Sequence, residues 1–141
     1  MARRPQDVTD AERQGSRPDF AVLAYAVVSL FDPPAHASSR RNLLGEPADP
    51  ALVELLSNER QVTPRTPPSF LFHTADDASV PAKNSLLFFE ALQKAGVPAE
   101  LHVFAHGKHG VGLAASDPAL SAWPRLCAAW LDGLGLLRPK P

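Results

Sequence analysis

The stretch that decides the fold is SFLFHTADDASVP, residues 69–81. Its first five residues form a short, mostly apolar run that predicts a buried strand over residues 69–73. A polar loop with two adjacent carboxylates, Asp76 and Asp77, follows the strand. An amphipathic helix pattern then runs from Ala82 to Ala95, where Gly96 ends it. Strand, loop and helix in this order are typical of one unit of a parallel α/β sheet.

A second unit follows at once. Residues 100–104, ELHVF, predict the next strand, and residues 105–110, AHGKHG, form a loop with two histidines, His106 and His109. The carboxyl ends of neighbouring parallel strands meet at one edge of a sheet. We therefore expect a carboxylate of the first loop, Asp76 or Asp77, and a histidine of the second, His106 or His109, to lie close together there. A histidine oriented by a carboxylate is the base that activates a serine nucleophile.

The remaining elements complete a βαβαβα pattern, which predicts a three-layer α/β/α fold around a parallel sheet. The continuous apolar run over residues 20–29 predicts a first strand that is buried on both faces. Residues 31–49 form a long loop with a helical turn near 40–44, Asp49 and Pro50 open a helix to about Asn58, and a last helix spans 119–134. Two apolar stripes are expected to face the core, Leu86, Leu87, Phe89, Glu90 and Leu92 in one helix and Trp123, Leu126, Cys127, Trp130 and Leu131 in the other.

Composition excludes several classes of function. The chain has 141 residues, of which 45% are hydrophobic and 21% charged, and its net charge is -1. We therefore expect no nucleic-acid partner and no anionic-membrane partner. No apolar stretch approaches the roughly 20 residues of a membrane span, and no signal-peptide pattern begins the chain, so the default expectation is a cytoplasmic protein. Residues 1–18 are a polar lead-in expected to be disordered, residues 19–137 form the domain, and residues 138–141 are a tail.

The histidines and carboxylates do not form a recognisable metal motif. His106 and His109 are three residues apart, but Gly107 and Gly110 predict a turn rather than a helix that bears ligands. The single cysteine, Cys127, lies in the apolar last helix and is expected to be a small core residue. We expect neither a metal nor a cofactor.

Motif and order together resemble a known superfamily. The pattern H-x-x-x-D-x-x-V-P, then a helix, a strand and G-x-H-G, is similar to α/β-hydrolases, in the branch of dienelactone-hydrolase-like and prolyl-oligopeptidase-like enzymes. Within that branch the chain looks most like bacterial esterases of the acetylxylan and feruloyl type. Supporting segments are SRPDFAVL at 16–23, SRRNLLG at 39–45, QVTP at 61–64 and PAKNS at 81–85. The resemblance covers residues 16–137 and corresponds to the C-terminal half of an α/β-hydrolase fold.

The resemblance implies a role for each residue of the two loops. Asp77 takes the place of the catalytic acid and His109, which precedes Gly110, the place of the base, so we expect these two to lie together at one end of the sheet. Asp76 is expected to bind turn amides, and His106 to lie at the rim of the site. His73 is expected to be a structural hydrogen-bonding residue.

The nucleophile is not recognisable. Six serines precede Asp77, and none has the G-x-S-x-G context of a nucleophile elbow: Ser16, Ser29, Ser38, Ser39, Ser57 and Ser69. The expected function is therefore that of a part of a serine hydrolase for carboxylic esters, with a small ester or an acylated carbohydrate as substrate and no activity by itself. Two alternatives stay open, an inactive half-domain or interaction protein and a serine peptidase of the prolyl-oligopeptidase type.

A half-sheet has consequences for partners. In the complete fold the first strand of this chain would pair with further strands, and an unpaired apolar strand edge invites association. We therefore expect self-association or pairing with an N-terminal half.

Overall fold

A computed structural model describes residues 17–137. Its centre is a parallel three-stranded sheet in the order β1-β2-β3, formed by β1 (Ala21–Ala24), β2 (Ser69–Thr74) and β3 (Ala99–Phe104). Within these residues, four α-helices accompany it, α1 (Ala37–Leu44), α2 (Pro50–Leu56), α3 (Lys83–Lys94) and α4 (Trp123–Gly133). The expected lead-in lies outside the described residues except for residues 17 and 18, and so does the expected tail.

The central strand β2 is as the sequence predicts, with Thr74 added at its end. All six of its residues are buried, because β2 pairs with β1 on one side and with β3 on the other. Leu71 is opposite Leu23 in β1 and opposite Leu101 in β3. A strand paired on both sides and covered on both faces has no polar face, which explains its apolar run.

The prediction for the first strand is wrong in length and burial. β1 ends at Ala24 rather than near Ser29, and Val22 is 40% exposed. Tyr25 takes a left-handed backbone conformation with φ of 41° and directs the chain out of the sheet. Beyond it, the amides of Val28 and Ser29 donate to the side chain of Asn84 instead of to a neighbouring strand. The apolar run is therefore part strand and part buried loop.

Helices cover both faces of the sheet, which confirms the three-layer α/β/α architecture. On one face α3 packs over β2 in a cluster of five buried residues, Val28, Leu71, Phe88, Leu92 and Val97. On the other face α4 packs over Phe70 and Phe72. The alternation of side chains along β2 separates Leu71 from the two phenylalanines and gives each helix its own core.

The buried faces of the two helices differ in how well the sequence predicts them. The stripe of α4 is correct, since Cys127 is buried and its aromatic neighbours pack on β2, with the Trp123 ring stacked 4.3 Å from that of Phe72. The stripe of α3 is shifted. Its buried residues are Asn84, Ser85, Phe88 and Leu92, whereas Leu86 is 39% exposed. Hydrogen bonds satisfy the two polar residues and allow them to occupy core positions.

The other helix boundaries follow local signals. Asp49 caps α2 as predicted and accepts from the Ala51 amide at 2.8 Å, and the helix ends at Leu56. The turn expected near residues 40–44 is a full helix, α1, which His36 caps through Ser39. The last helix begins with a 3₁₀ turn over Leu120–Ala122. No helix in residues 17–137 combines the length and the apolar character that crossing a bilayer requires.

Candidate active site

Two loops meet at the carboxyl end of the sheet. The acid loop, residues 75–81, follows β2, and the base loop, residues 105–110, follows β3. The Ala75 amide donates to the Phe104 carbonyl at 2.8 Å, so the strand pairing continues into the start of both loops. This junction places the polar side chains of the two loops beside each other.

Asp77 lies in the buried part of this junction. Its carboxylate is fully buried, and Oδ1 accepts hydrogen bonds from the amides of Ser79 at 2.8 Å and Val80 at 2.9 Å. The other oxygen, Oδ2, lies 2.8 Å from Nδ1 of His109. The prediction that Asp77 and His109 lie together at one end of the sheet is confirmed.

Two opposing effects act on the charge of Asp77. Burial alone raises the pKa of the carboxyl, because it disfavours the charged form. Hydrogen bonds from the Val80 amide, the His109 ring and the Ser79 amide outweigh burial and hold the pKa below its usual value. Asp77 is therefore a stable carboxylate, which is the form that orients a histidine.

The His109 ring has one engaged and one available nitrogen. Since the Asp77 carboxylate accepts, Nδ1 carries the proton and Nε2 keeps its lone pair when the ring is neutral. Nε2 makes no hydrogen bond to any of residues 17–137, and the side chain is 36% exposed. The Tyr25 ring packs edge-on against the imidazole, with centroids 4.9 Å apart. This geometry leaves Nε2 free to accept a proton.

His73 is a buried structural residue, as the sequence predicts. Its Nε2 donates to the Val80 carbonyl at 2.9 Å, because a carbonyl can only accept, and Nδ1 lies 2.8 Å from Oγ of Ser85. Nε2 is also 3.4 Å from Oδ2 of Asp77. His73 therefore links the end of β2, the acid loop and the first turn of α3.

Asp76 and His106 form a second pair on the solvent side. His106 Nδ1 lies 2.9 Å from Oδ2 of Asp76, and the side chains of His106 and Asp76 are 88% and 52% exposed. Oδ1 of Asp76 accepts from the Gly107 amide at 2.8 Å. The His106 hydrogen bond, followed by that of Gly107, lowers the pKa of Asp76. Asp76 binds a backbone amide, as expected, although the amide belongs to the base loop and not to its own turn.

None of the described serines that precede Asp77 bonds to His109. Ser29, Ser57 and Ser69 are buried, and their hydroxyls bond to backbone groups nearby. Two others, Ser38 and Ser39, lie in α1, and Ser16 is outside the described residues. No serine of residues 17–137 is hydrogen-bonded to His109.

His102 and Cys127 lie away from the paired loops. His102 Nε2 lies 2.6 Å from Glu100, its near neighbour in β3. Burial, followed by the charge of Glu100, raises the pKa of the Cys127 thiol. Within residues 17–137, no three histidine, cysteine, aspartate or glutamate side chains are arranged to hold a metal ion.

A shallow cavity of about 340 Å³ opens beside the paired loops. It is lined by Asp76, Ala78, Ser79, Gly107, Lys108 and His109. A larger cavity of about 530 Å³ lies between α3 and the segment after β1, and neither Asp77 nor His109 lines it. We assign the smaller cavity to the site, because size alone does not make a cavity reactive and the smaller one borders the His109 ring.

Sequence reasoning missed three residues that support the site. Tyr25, Asn84 and Ser85 pack against or hydrogen-bond the segments that hold Asp77 and His109. The signal for Asn84 and Ser85 was present, since both lie at helix positions that place them on the same face as Phe88 and Leu92. No local pattern indicated the role of Tyr25, because its position beside His109 depends on where the chain leaves the sheet.

Comparisons with known proteins agree with the geometry. The model of the prolyl oligopeptidase family matches residues 37–133. An endo-1,4-beta-xylanase B of Butyrivibrio fibrisolvens is 41% identical over 109 residues, 76% of this chain and 16% of that protein. An acetylxylan esterase of Xylanibacter ruminicola is 33% identical over 100 residues, 68% of this chain and 21% of that protein.

A solved structure shows the same fold in a longer chain. The acetyl ester-xyloside bifunctional hydrolase of Caldicellulosiruptor lactoaceticus is 51% identical with a TM-score of 0.84, and the match covers 86% of this chain and 44% of that one. This chain thus spans less than half of that hydrolase and about a fifth or less of the two curated relatives. The match to the family covers more than half of the length of this chain. The chain belongs to the prolyl oligopeptidase family and has the fold of part of an α/β-hydrolase.

Proposed function

We propose that this chain supplies the acid and the base of a Ser-His-Asp triad for the hydrolysis of carboxylic esters. The observation that carries the proposal is the 2.8 Å hydrogen bond from His109 Nδ1 to the buried Asp77 carboxylate, with Nε2 left available. In such a triad Nε2 takes the proton of the attacking serine and returns it to the leaving alcohol. Asp77 keeps the imidazole in the required tautomer and stabilises the imidazolium that forms.

The relatives favour an acylated carbohydrate as the substrate. One is described as an acetylxylan esterase and another as an acetyl ester-xyloside hydrolase. The chain itself contains no serine in a G-x-S-x-G context, so the nucleophile and the oxyanion donor next to it would have to come from elsewhere. We therefore propose that the chain alone is inactive as an esterase. A serine peptidase is the second candidate, which the family match favours.

The first experiment assays the purified chain with p-nitrophenyl acetate beside His109→Ala. We expect no saturable turnover from either protein, because removing a catalytic serine lowers turnover by about a millionfold in a well-studied protease. Saturable turnover that His109→Ala abolishes would show that the chain is active by itself and would contradict this part of the proposal.

The second experiment restores the rest of the fold. A chimera joins this chain to the part of the Caldicellulosiruptor lactoaceticus hydrolase that it does not cover. We expect the chimera to release acetate from acetylated xylan, and Asp77→Asn and His109→Ala to lower kcat by about a thousandfold or more. His102→Ala is the matched control, because His102 bonds to Glu100 and not to the site. A folded chimera whose activity survives His109→Ala would overturn the assignment, and cleavage of peptide but not ester substrates would favour the second candidate.

A further inference from the structure

Two aspartate–histidine pairs connect the same two loops side by side. The inner pair is Asp77 with His109, and the outer pair is Asp76 with His106. Adjacent carboxylates of the acid loop thus contact histidines three residues apart in the base loop. Only the carboxylate of the inner pair is shielded from water, since the Asp77 side chain is fully buried and that of Asp76 is 52% exposed.

Exposure argues against the outer pair as the reacting pair. The His106 side chain is 88% exposed, so water screens its attraction to Asp76 and competes for the hydrogen bond. Asp76 does something that Asp77 does not, however. Its Oδ1 accepts from the backbone amide of Gly107, which lies two residues before His109. Asp76 therefore contacts both a side chain and the backbone of the base loop.

Both backbone polar groups of Gly107, the amide and the carbonyl, are hydrogen-bonded. Its amide donates to Asp76 at 2.8 Å, and its carbonyl accepts from Oγ1 of Thr74 at 2.6 Å. Its φ of 155° is a value that side-chain-bearing residues rarely adopt. A Cβ at this position would lie 2.7 Å from Cγ2 of Thr74 and 2.8 Å from Cδ1 of Leu120. The base loop thus passes so close to Thr74 and Leu120 that any side chain at this position would force them to shift.

We propose that Asp76 is a positioning residue that acts through Gly107 and His106 to hold His109 against Asp77. One carboxylate bonds the base loop at two consecutive residues, and Thr74 bonds the carbonyl of Gly107 from the strand end. These contacts fix the backbone from which the His109 side chain projects. That this positioning serves ester hydrolysis rests on the proposed function, whereas the test concerns only the His109–Asp77 hydrogen bond.

The test measures that hydrogen bond directly by proton NMR of the full chain labelled with ¹⁵N. The Nδ1 proton of His109 is assigned by its loss in His109→Ala, and its exchange with water is measured. In Asp76→Ala we expect exchange to become about fivefold faster, since losing charge-assisted bonds favours local opening. Asp76→Asn keeps an acceptor for Gly107 and should restore most of the protection. His106→Ala removes one of the two contacts and should fall between wild type and Asp76→Ala.

Asp49→Ala is the matched control. Asp49 is also an exposed aspartate that accepts from a backbone amide, but it caps α2 and does not contact the base loop. We expect it to lower overall stability without changing the His109 signal. The proposal is overturned if Asp76→Ala is folded and leaves the signal and its exchange unchanged, or if Asp49→Ala alters them as much. If Asp76→Ala does not fold, the same measurement is made on His106→Ala. An unchanged His109 signal with unchanged exchange in that variant would then overturn the proposal. Esterase activity plays no part in these readouts, so a failure of the proposed function would not be mistaken for a failure of this one.

Discussion

The side chain of Asn84 accepts a hydrogen bond from the amide of Ser29 at 2.9 Å and another from the amide of Val28 at 3.0 Å. Its own amide donates to the carbonyls of Pro34 and Pro81, each at 3.0 Å. One buried residue of α3 therefore joins the segment after β1 to the end of the acid loop.

This relationship predicts a large loss of stability when Asn84 is replaced. Asn84→Ala would leave two buried amides without acceptors, at a cost of about 3–5 kcal/mol in the free energy of unfolding. Asn84→Asp keeps the acceptors but buries a carboxylate against the carbonyl oxygens of Pro34 and Pro81, so it should destabilise the protein at least as much. Urea denaturation measures both, and the exposed Asn58→Ala is a control that should change stability by less than about 0.5 kcal/mol. Equal stabilities of Asn84→Ala and this control would contradict the prediction.

Ser85 should stabilise the acid loop through His73. Ser85→Ala leaves Nδ1 of the buried His73 ring without its partner and should cost about 1–3 kcal/mol. Ser121, which bonds only weakly to the Pro118 carbonyl at 3.4 Å, is the matched serine. We expect Ser121→Ala to leave the urea midpoint nearly unchanged. A loss of the same size in both variants would show that His73 does not depend on Ser85.

The lowered pKa of Asp77 predicts how stability depends on pH. A carboxyl with a depressed folded-state pKa stabilises the protein above its unfolded-state pKa, about 3.9, and this contribution is lost as the pH falls through the folded-state value. The difference in free energy of unfolding between wild type and Asp77→Asn should therefore be greatest above about pH 5 and shrink below about pH 4. Urea titrations at several pH values measure it. A difference that stays constant down to low pH would refute the prediction.

Alanine substitutions at three glycines should distinguish the cost of steric crowding from the cost of backbone strain. Gly107→Ala should cost about 2–4 kcal/mol, because it suffers both an unfavourable φ and clashes with Thr74 and Leu120. Gly110 has a φ of 77°, but a Cβ added there would meet nothing within 4 Å, so Gly110→Ala should cost about 1 kcal/mol. Gly133, in α4, has neither problem, and Gly133→Ala should stabilise by up to about 0.5 kcal/mol. Thermal unfolding should rank the three in this order, and a Gly107→Ala variant as stable as Gly110→Ala would show that the base loop can move.

Local patterns predicted the element order, the central strand and the meeting of the acid loop with the base loop. These features depend on short-range periodicity and on the rule that adjacent parallel strands end at the same edge of a sheet. The α4 stripe and the Asp49 cap were predictable for the same reason, since their partners lie within a few residues or on one helix face. The catalytic roles of Asp77 and His109 remain predictions.

By itself, then, the sequence determined the α/β/α architecture, and its resemblance to α/β-hydrolases singled out Asp77 and His109. Only the tertiary structure decided where β1 ends, which groups Asn84 and Ser85 bind, and that Asp76 binds Gly107 in the other loop. Each of these depends on hydrogen bonds between groups far apart in the chain, such as Val28 and Asn84, which are separated by 56 residues. A buried backbone amide must find an acceptor, but no local pattern indicates which distant side chain will provide it.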